Sequence, residues 1–373
     1  MIPRPLTPEE AMLMAIDEGK KGAGFVSPNP LVGCVIVDRE HRLLAKGHHR
    51  RLGDLHAETH ALSQIQDHSL LDGAHFYVTL EPCAHQGRQP SCAKALAQLP
   101  IASVTFGLQD PHPRVAGQGA EILRQAGKEV HEFSGLKDEL EELAEIFLVN
   151  WRQERAFVTL KVATSLDGRT ALKSGESQWI TGPMARDKVH ELRGCHDAIL
   201  TGAGTVLKDD PRLNSRHARF QAKTLPVVVL DPKGSLAGRL SSSQLLQVRE
   251  PEHVWLITEP GVRIPEPITH LQMETKSGDF PLAKLLINLR GRGLHSLFVE
   301  AGETTLSKFL EQQIGDRLTV FMAPKILGDG LGWTSGLKLQ SLEHSVQLKG
   351  SRHETLGEDW LVTGRLSFAQ LKS

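Results

Sequence analysis

The sequence has few cysteines, few aromatic residues and almost no net charge. Four Cys in 373 residues exclude a disulfide scaffold and favour a reducing, cytoplasmic setting. Lys and Arg total 43 against 44 Asp and Glu, so a polybasic nucleic-acid or membrane binder is not expected. A single Tyr and 5% aromatic residues leave few platforms for stacking bases. No apolar run reaches the roughly 18 residues of a membrane helix, and acids near the start argue against a secretory signal.

What remains is the composition of a folded protein with more than one domain. Hydrophobic residues make up 40% of the chain and charged residues 23%, close to globular averages. The length predicts two or three domains. A charged amphipathic helix is predicted over Lys137–Arg155, and we place a domain boundary near residue 150, which gives domains over residues 1–150 and 151–373.

Apolar runs of strand length alternate with helical patterns in both halves, which predicts two α/β folds. In the first half, Thr7 and Glu10 predict a capping box at a helix start, and further helices are predicted to begin at His56, near Ser91 and near Gly119. The strands predicted there are Leu31–Val37, His75–Leu80 and Ser103–Leu108. The strands predicted in the second half are Phe157–Val162, Ala198–Thr201, Val227–Leu230, Val254–Ile257, Ser296–Glu300 and Leu318–Met322. The helices predicted there are Pro183–Arg193, Leu282–Arg290 and Thr304–Gln312, and polar Ser235–Gln247 is predicted to be a surface excursion.

One histidine and two cysteines have the pattern of a catalytic zinc site. His56 and Glu58 stand at a predicted helix start, and Cys83 and Cys92 follow in EPCAHQGRQPSC. One imidazole and two thiolates suit a tetrahedral Zn²⁺ whose fourth position is left to water. Glu58 would take a proton from that water and pass it to a leaving amine, as in the zinc nucleobase deaminases.

Other interpretations of this cluster stay open. A structural zinc knuckle would need a fourth ligand, for which Cys34 and His85 are the candidates. A deaminase alone, acting on a free base, a nucleoside or a tRNA adenosine, would leave the long second half without a role. A zinc-stabilised nucleic-acid-binding module would need a closed four-ligand site and a basic face.

Longer stretches of the first half resemble a known enzyme family. NPLVGCVIV, HAE, EPCAHQGRQPSC and GLQDPHPRVAGQGAEILRQAG are similar to the deaminase half of the bifunctional riboflavin-biosynthesis deaminase/reductases. The resemblance implies a cytidine-deaminase-like domain, a mixed sheet covered by helices on both faces, that deaminates 2,5-diamino-6-ribosylamino-4(3H)-pyrimidinone 5′-phosphate. It implies that His56, Cys83 and Cys92 bind zinc and that Glu58 is the proton shuttle. It further implies substrate contacts by Asn29, His48, His85, Arg88 and Asp110, while His112 replaces the Asn that is usual in the family.

The second half resembles the reductase half of the same family, whose fold is similar to dihydrofolate reductase. The resemblance rests on FVTLKVATSLDGRTALKSGESQWITG, LRGCHDAILTGAGTVLKDDPRLNSR and LFVEAGETTL. It implies that NADPH reduces the ribosyl side chain of 5-amino-6-(5-phosphoribosylamino)uracil to the ribityl form, with hydride added at C1′ of the opened sugar. The substrate residues implied are Ser177, Arg193, Leu213, Arg216 and Glu300, of which the two Arg suit a phosphate. The cofactor residues implied are Ala163, Trp179, Thr205, Asp209, Gly302, Glu303, Thr304, Thr305, Leu306, Ser307 and Lys308, the last seven as a turn into a helix.

Some positions in the second half allow other roles. Trp179 could be a core aromatic residue, and Arg193 could be a solvent-facing charge at a helix end. Pro232 stands where a small hydroxyl residue is common in the family, and Glu303 would repel a cofactor phosphate unless its side chain turns away. Lys161 and Asp167 are candidates for the acid that protonates the imine. We expect small phosphorylated pyrimidines as partners, a homo-oligomer, and neither nucleic acid nor membrane.

Overall fold

The structure is a computed structural model that describes residues 4–84, 90–111, 116–264, 267–334 and 336–369. The chain divides into two compact units, Met1–Glu154 and Arg155–Ser373. In the described ranges, no helix combines the length and the apolar character needed to cross a membrane.

Within the described residues, the first unit contains a five-stranded mixed sheet with helices packed against it. Its strands are β1 (Gly33–Val37), β2 (Leu43–His48), β3 (His75–Leu80), β4 (Ser103–Leu108) and β5 (Glu129–Glu132). Its helices are α1 (Pro8–Lys20), α2 (Ala57–Leu62), α3 (Cys92–Ala97), α4 (Gln118–Gln125), α5 (Lys137–Leu143) and α6 (Glu145–Arg152), with a 3₁₀ turn at His68–Leu71. The spatial order is β2-β1-β3-β4-β5, where β1 is antiparallel to both neighbours and β3, β4 and β5 are parallel.

Both faces of this sheet are buried, which is why its central strands are continuous apolar runs. Side chains alternate along β1. Cys34 and Ile36 pack into one core with α2 and α3, whereas Val35 and Val37 pack into a second core with α1 and α5. The predicted mixed sheet with helical cover on both faces is therefore confirmed.

The helices at the two ends of this unit agree with the sequence predictions only in part. The capping box is present, since Thr7 Oγ1 accepts from the Glu10 N–H and the Glu10 carboxylate accepts from the Thr7 N–H. The single helix predicted over Lys137–Arg155 is wrong. Ala144 leaves helical geometry (φ −95°, ψ 4°), so α5 ends at Leu143 and α6 begins at Glu145.

Within the described residues, the second unit contains a nine-stranded sheet. Its strands are β6 (Phe157–Ser165), β7 (Ala198–Gly202), β8 (Val227–Leu230), β9 (Val254–Thr258), β10 (Thr269–Gln272), β11 (Ser296–Val299), β12 (Arg317–Ala323), β13 (Gln347–Leu356) and β14 (Asp359–Ser367). Its helices are α7 (Pro183–Cys195), α8 (Ala203–Asp209), α9 (Gln244–Gln247), α10 (Leu282–Gly291) and α11 (Glu303–Glu311). Short 3₁₀ turns lie at Ala218–Phe220, Leu240–Ser242, Pro251–His253 and Leu342–His344.

The order of the strands determines where a ligand can enter the second unit. The spatial order is β10-β9-β8-β7-β11-β6-β12-β14-β13. The first seven strands in this order are parallel, and β13 and β14 form an antiparallel hairpin at one edge. The carboxyl ends of the parallel strands therefore share one edge of the sheet, which is where α/β folds bind their ligands.

The predicted surface excursion over Ser235–Gln247 is wrong. Leu236, Leu240 and Leu245 are each at most 2% exposed and pack onto the outer core of the second unit with Val227 and Val229. Arg239, Ser241 and Ser242 between these leucines are exposed, so the segment covers one face of the sheet despite its polar composition.

Candidate active sites

The three predicted metal ligands meet at the beginnings of two short helices. His56 is the N-cap of α2, Cys92 is the first residue of α3, and Cys83 follows β3 in the connecting loop. His56 Nδ1 lies 3.6 Å from Cys83 Sγ and 3.3 Å from Cys92 Sγ. Tetrahedral zinc bonds of about 2.0–2.3 Å place ligand atoms roughly 3.3–3.8 Å apart, so the residues fit one Zn²⁺.

The described part of the cluster has three protein ligands. Its ligand atoms lie within 4.8 Å of one another, and the group contains His56, Cys83 and Cys92 but not Cys34. Cys34 is buried in β1, among core residues. The other proposed fourth ligand, His85, lies outside the described residues. A three-ligand set leaves one position for water, which is typical of catalytic zinc.

Glu58 is buried beside these ligands on the first turn of α2. Glu58 is only 3% exposed. Its burial, together with the negative charge of Cys83, raises the pKa of the carboxyl above its usual range. The hydrogen bond with Cys92, together with the His56 imidazole, lowers the pKa of the Cys83 thiol below its usual range. A carboxyl with a raised pKa can both accept and return a proton near neutral pH.

Two adjacent histidines have opposite orientations, and the residue next to the metal cluster is His49. The Nδ1 atom of His48 lies 2.9 Å from Glu18 Oε1, on the side of α1. The His49 ring packs edge-on against His56 with centroids 5.4 Å apart, and Asn29 Nδ2 donates to His49 Nε2 at 3.1 Å. Successive residues of an extended chain point to opposite sides. Asn29 therefore reaches the cluster region through His49, whereas the predicted His48 faces away from it.

Glu81 organises the loop that carries Asp110, a role that sequence reasoning missed. Its buried carboxylate accepts from the backbone N–H groups of Gly117 at 2.9 Å, Ala120 at 3.1 Å and Asp110 at 3.4 Å. An acid at a helix N-terminus satisfies the unpaired N–H groups and the helix dipole of α4. Asp110 is half-buried and lies two residues after β4. Three predicted positions lie outside the described residues, namely His85, Arg88 and His112.

A close backbone approach positions the Cys83 loop. A Cβ atom on Gly119 of α4 would lie 1.9 Å from the Pro82 carbonyl oxygen, so only glycine fits there. The carbonyl of Cys83 accepts from Ser91 Oγ at 2.7 Å. The Pro82 carbonyl is therefore packed against α4, and the Cys83 carbonyl is bound by the N-cap residue of α3.

A cavity of about 1110 Å³ lies at the carboxyl edge of the parallel strands in the second unit. It is lined by the predicted residues Ala163, Ser177, Trp179, Arg193, Thr205, Asp209, Leu213, Arg216, Glu300, Gly302, Glu303, Thr304, Thr305, Leu306 and Lys308. Ser307 is the exception, because its side chain is buried on the Gly336 side of α11 and does not line the cavity. Small-molecule sites usually measure about 300–1,000 Å³, so this volume suits a dinucleotide together with a second ligand.

A buried ion-pair network lies where β11 enters the cavity. The Glu300 carboxylate accepts from Arg193 Nε and, at 3.0 Å, from Arg193 Nη2, and Lys161 Nζ lies 3.4 Å away. Burial alone would raise the pKa of Glu300, but the charges of Arg193 and Lys161 lower it to about 2. Because the Arg193 side chain is only 13% exposed, Arg193 is not a solvent-facing charge at a helix end.

Trp179 presents a flat surface to the cavity. It is 64% exposed, so it is not a core aromatic residue, and the Arg186 guanidinium lies 4.7 Å from its ring centroid. An aromatic face held by a cation is a platform for another planar ring. The exposed Arg216 donates from Nη1 to Asn214 Oδ1 at 3.2 Å and also lines the cavity.

Of the two candidates for the imine acid, Lys161 lines the cavity and Asp167 does not. Asp167 accepts from Ser165 Oγ at 2.5 Å and from the backbone N–H groups of Leu327 and Gly328 at 3.1 and 2.8 Å. These hydrogen bonds, the one from Ser165 above all, hold the pKa of Asp167 below its usual range. Asp167 therefore fixes a turn and is a poor proton donor.

The beginnings of α8 and α11 lie side by side at this edge. The Gly302 N–H donates to Thr205 Oγ1 at 3.3 Å, and a Cβ atom on Gly202 would lie 2.6 Å from Thr305 Oγ1. A Cβ atom on Gly204 would meet nothing within 4 Å, so the backbone there is open. Free N–H groups at the start of a helix bind phosphate, and the residues present therefore fit the pyrophosphate of a dinucleotide.

Two family models match the chain, one in each unit. Residues 6–108 match the cytidine and deoxycytidylate deaminase zinc-binding region, and residues 156–362 match the RibD C-terminal domain. The chain is 37% identical over 358 residues to riboflavin biosynthesis protein RibD of Aquifex aeolicus, covering 94% of this chain and 96% of that protein. It is 36% identical over 365 residues to RibD of Escherichia coli, with coverage of 94% and 97%.

Solved structures give the same result for the whole chain. RibD of Acinetobacter baumannii superposes with a TM-score of 0.81 at 33% identity, covering 96% of this chain and 99% of that one. A diaminohydroxyphosphoribosylaminopyrimidine deaminase/5-amino-6-(5-phosphoribosylamino)uracil reductase of Thermotoga maritima gives a TM-score of 0.84 at 35% identity, with the same coverage. Both predicted folds are thereby confirmed, and the expected cofactors, zinc and NADPH, agree with the zinc-binding and reductase families matched. One unit therefore contains the metal cluster of the deaminase half, and the other contains the dinucleotide-sized cavity of the reductase half. The chain belongs to the RibD family of bifunctional riboflavin-biosynthesis deaminase/reductases.

Proposed function

We propose that the chain catalyses two consecutive steps of riboflavin biosynthesis. The first is deamination of 2,5-diamino-6-ribosylamino-4(3H)-pyrimidinone 5′-phosphate. The second is NADPH-dependent reduction of the ribosyl chain of 5-amino-6-(5-phosphoribosylamino)uracil. The observation that carries the proposal is the cluster of His56, Cys83 and Cys92 with the buried Glu58 beside it.

Deamination is assigned to residues 1–150 and reduction to residues 151–373. Two observations support this division. The boundary between the two compact units along the chain lies between Glu154 and Arg155. The two family matches cover residues 6–108 and 156–362 without overlap.

In the first unit, His56, Cys83 and Cys92 would hold zinc, which when bound supplies a Lewis acid and activates water near neutral pH. Glu58 takes a proton from the attacking water and returns it to the leaving amine. Asn29 donates one amide hydrogen to His49, which leaves its carbonyl oxygen and its second hydrogen for the pyrimidine. Three further residues keep their proposed substrate contacts from the sequence, namely Asp110, His85 and Arg88.

In the second unit, NADPH when bound supplies the hydride. Glu300 is held as a carboxylate and would accept hydrogen bonds from the sugar hydroxyls, while Lys161, 3.4 Å from it, would donate a proton. Arg216 is exposed in the cavity and is better placed for the substrate phosphate than Arg193, whose guanidinium is occupied by Glu300. Ser177 and Leu213 line the same cavity and complete the proposed substrate set.

The remaining lining residues would hold the cofactor. Trp179 offers its exposed ring to a flat group, and Gly302 begins the helix whose N–H groups face a phosphate. The proposed cofactor set is Ala163, Trp179, Thr205, Asp209, Gly302, Glu303, Thr304, Thr305, Leu306 and Lys308. A homo-oligomer, a cytoplasmic location, and the absence of nucleic-acid and membrane partners stay predictions from the sequence.

Glu58→Gln tests the proposal in both units. The variant should keep one zinc per chain, measured by elemental analysis, while ammonia release falls about 10²–10⁴-fold because the proton carrier is lost. NADPH oxidation on supplied aminouracil substrate should be unchanged. Glu9→Gln, at an exposed position on α1, is the matched control and should retain both activities. Ammonia release at the wild-type rate in Glu58→Gln would overturn the assignment.

A further inference from the structure

Lys233 differs from every other cation of the reductase cavity. It lines the cavity with an exposed side chain, and among the described residues it has no hydrogen-bond or ion-pair partner. The other lining Lys and Arg residues each contact a protein oxygen, and they are Lys161, Arg186, Arg193, Lys208, Arg212, Arg216 and Lys308. An unpaired cation on a cavity wall is available to an anionic ligand.

The turn that carries Lys233 is fixed by the residues around it. The turn follows β8, and the Asp231 carboxylate accepts from Ser235 N at 2.9 Å, from Ser235 Oγ at 2.7 Å and from Leu236 N at 2.9 Å. The Pro232 carbonyl accepts a backbone N–H from the residue after β9 at 3.0 Å. The backbone under Lys233 is therefore held in place while its side chain stays free.

Asp231 occupies a position where an acid often selects NADH. In dinucleotide-binding α/β folds, an acid at the end of the strand beside the phosphate-binding strand accepts from the adenosine ribose hydroxyls, whereas a cation there accommodates a 2′-phosphate. Asp231 is 1% exposed, and both of its carboxylate oxygens are occupied by donors of the turn. The turn after β8 therefore presents the positive charge of Lys233 to the cavity, whereas the Asp231 carboxylate is not available to a ribose.

The distance from the phosphate-binding edge is suitable. Gly202 is the last residue of β7 and precedes α8, and Gly302 follows the neighbouring strand β11 and precedes α11. The next strand beyond β7 is β8. Adjacent strands lie about 4.8 Å apart, so a ribose attached to a pyrophosphate at the helix starts comes within reach of a lysine after β8.

We propose that Lys233 binds the 2′-phosphate of NADPH and determines the preference of this reductase for NADPH over NADH. The proposal rests on the proposed function, because it requires a nicotinamide dinucleotide in this cavity. Glu259, after β9, is the competing group. If the ribose reached one strand further, that carboxylate would accept from the ribose hydroxyls and favour NADH.

Calorimetric titration of the full-length enzyme separates the 2′-phosphate from the rest of the cofactor. In Lys233→Ala, affinity for adenosine 2′,5′-bisphosphate should fall roughly ten- to a hundred-fold, as expected for a lost charge-assisted hydrogen bond. Affinity for adenosine 5′-monophosphate should stay within about two-fold, and the NADPH-to-NADH affinity ratio should fall by the same factor as the bisphosphate affinity. Lys233→Arg should preserve both. Lys349→Ala, exposed on β13 and absent from the cavity wall, is the matched control.

Three results would overturn the inference, and they are distinguishable. If Lys233→Ala keeps the wild-type NADPH-to-NADH ratio, Lys233 has no role in selection although the reductase assignment stands. A wild-type preference for NADH that Glu259→Gln removes would assign the ribose to Glu259 instead. If the wild type binds neither NADPH nor adenosine 2′,5′-bisphosphate, the proposed reductase function fails as well. Unchanged thermal unfolding of Lys233→Ala is expected, since its side chain is exposed and unpaired.

Discussion

Glu300→Gln should destabilise the second unit, because it leaves two partly buried cations, Arg193 and Lys161, facing a neutral amide. The pKa of Glu300 is about 2 against an ordinary value of 4.5, since Arg193 and Lys161 outweigh the effect of burial. That difference corresponds to about 3 kcal/mol of stabilisation by the ionised form. The Arg193 and Lys161 side chains keep 13% and 17% exposure, so water partly compensates them in the variant. We expect a loss of about 2–4 kcal/mol in unfolding free energy at pH 7.

The pH dependence of this loss has a definite sign. The folded-state pKa of Glu300 lies below the unfolded value, so its contribution is complete above about pH 4.5 and disappears as pH falls towards 2. Wild-type stability should therefore decline more steeply than that of Glu300→Gln over this range. The two unfolding free energies should converge near pH 2.

Urea unfolding followed by tryptophan fluorescence measures this difference. Of the 5 Trp, the four in the second unit are Trp179, Trp255, Trp333 and Trp360, so the signal reports mainly on that unit. Glu354→Gln is the matched control, because the Glu354 side chain is 52% exposed and lies 3.8 Å from Lys188. Such a surface pair contributes about 0–1 kcal/mol. Equal unfolding free energies for Glu300→Gln and wild type at pH 7, or a gap that persists unchanged to pH 2, would refute the reasoning.

Three further substitutions, in two predictions, test the site geometry. His49→Gln should lower kcat/KM for ammonia release by roughly ten-fold or more, as loss of a substrate-orienting hydrogen bond does. His48→Gln should change kcat/KM less than about two-fold, because His48 faces Glu18. Equal losses in steady-state assays of the two variants would contradict this assignment. Glu303→Gln should tighten NADPH binding several-fold by removing a negative charge near the cofactor phosphate, while the lost acid at the start of α11 costs about 0.3–1 kcal/mol. Calorimetric titration and thermal unfolding of the Glu303 variant measure the two effects, and unchanged affinity would mean that the carboxylate turns away from the phosphate.

The buried strands could be predicted from the sequence, whereas the exposed ones could not. His75–Leu80, Ser103–Leu108 and Val227–Leu230 have the predicted bounds, because strands covered on both faces are continuous apolar runs. The edge strand β13 is exposed at most of its positions and carries mostly polar residues, so no apolar pattern marks it. Burial, which produces the pattern, is confined there to Leu356 at the end of the strand.

The metal site could be predicted because a ligand and the proton carrier lie close together in the sequence, as in His56-Ala57-Glu58. Which of two neighbouring histidines packs against His56 depends on the register of β1 and β2, which no local pattern specifies. The family resemblance implies a substrate contact by His48, whereas His49 is the residue that packs against His56. Lys233 has no signal in the sequence at all. A lysine in a turn is normally a solvated charge, and it becomes a cavity residue only when the strand order places β8 beside β7.

Gly119 has a consequence for how this enzyme tolerates mutation. Its backbone lies where a methyl group would stand 1.9 Å from the Pro82 carbonyl oxygen. Any side chain there must displace that carbonyl, and with it the neighbouring Cys83, by roughly 1 Å or more to restore van der Waals contact. In a saturation scan scored by riboflavin auxotrophy, every substitution at position 119 would resemble the loss of a zinc ligand. A scan interpreted without the fold would therefore count a helix-packing glycine among the metal-binding residues.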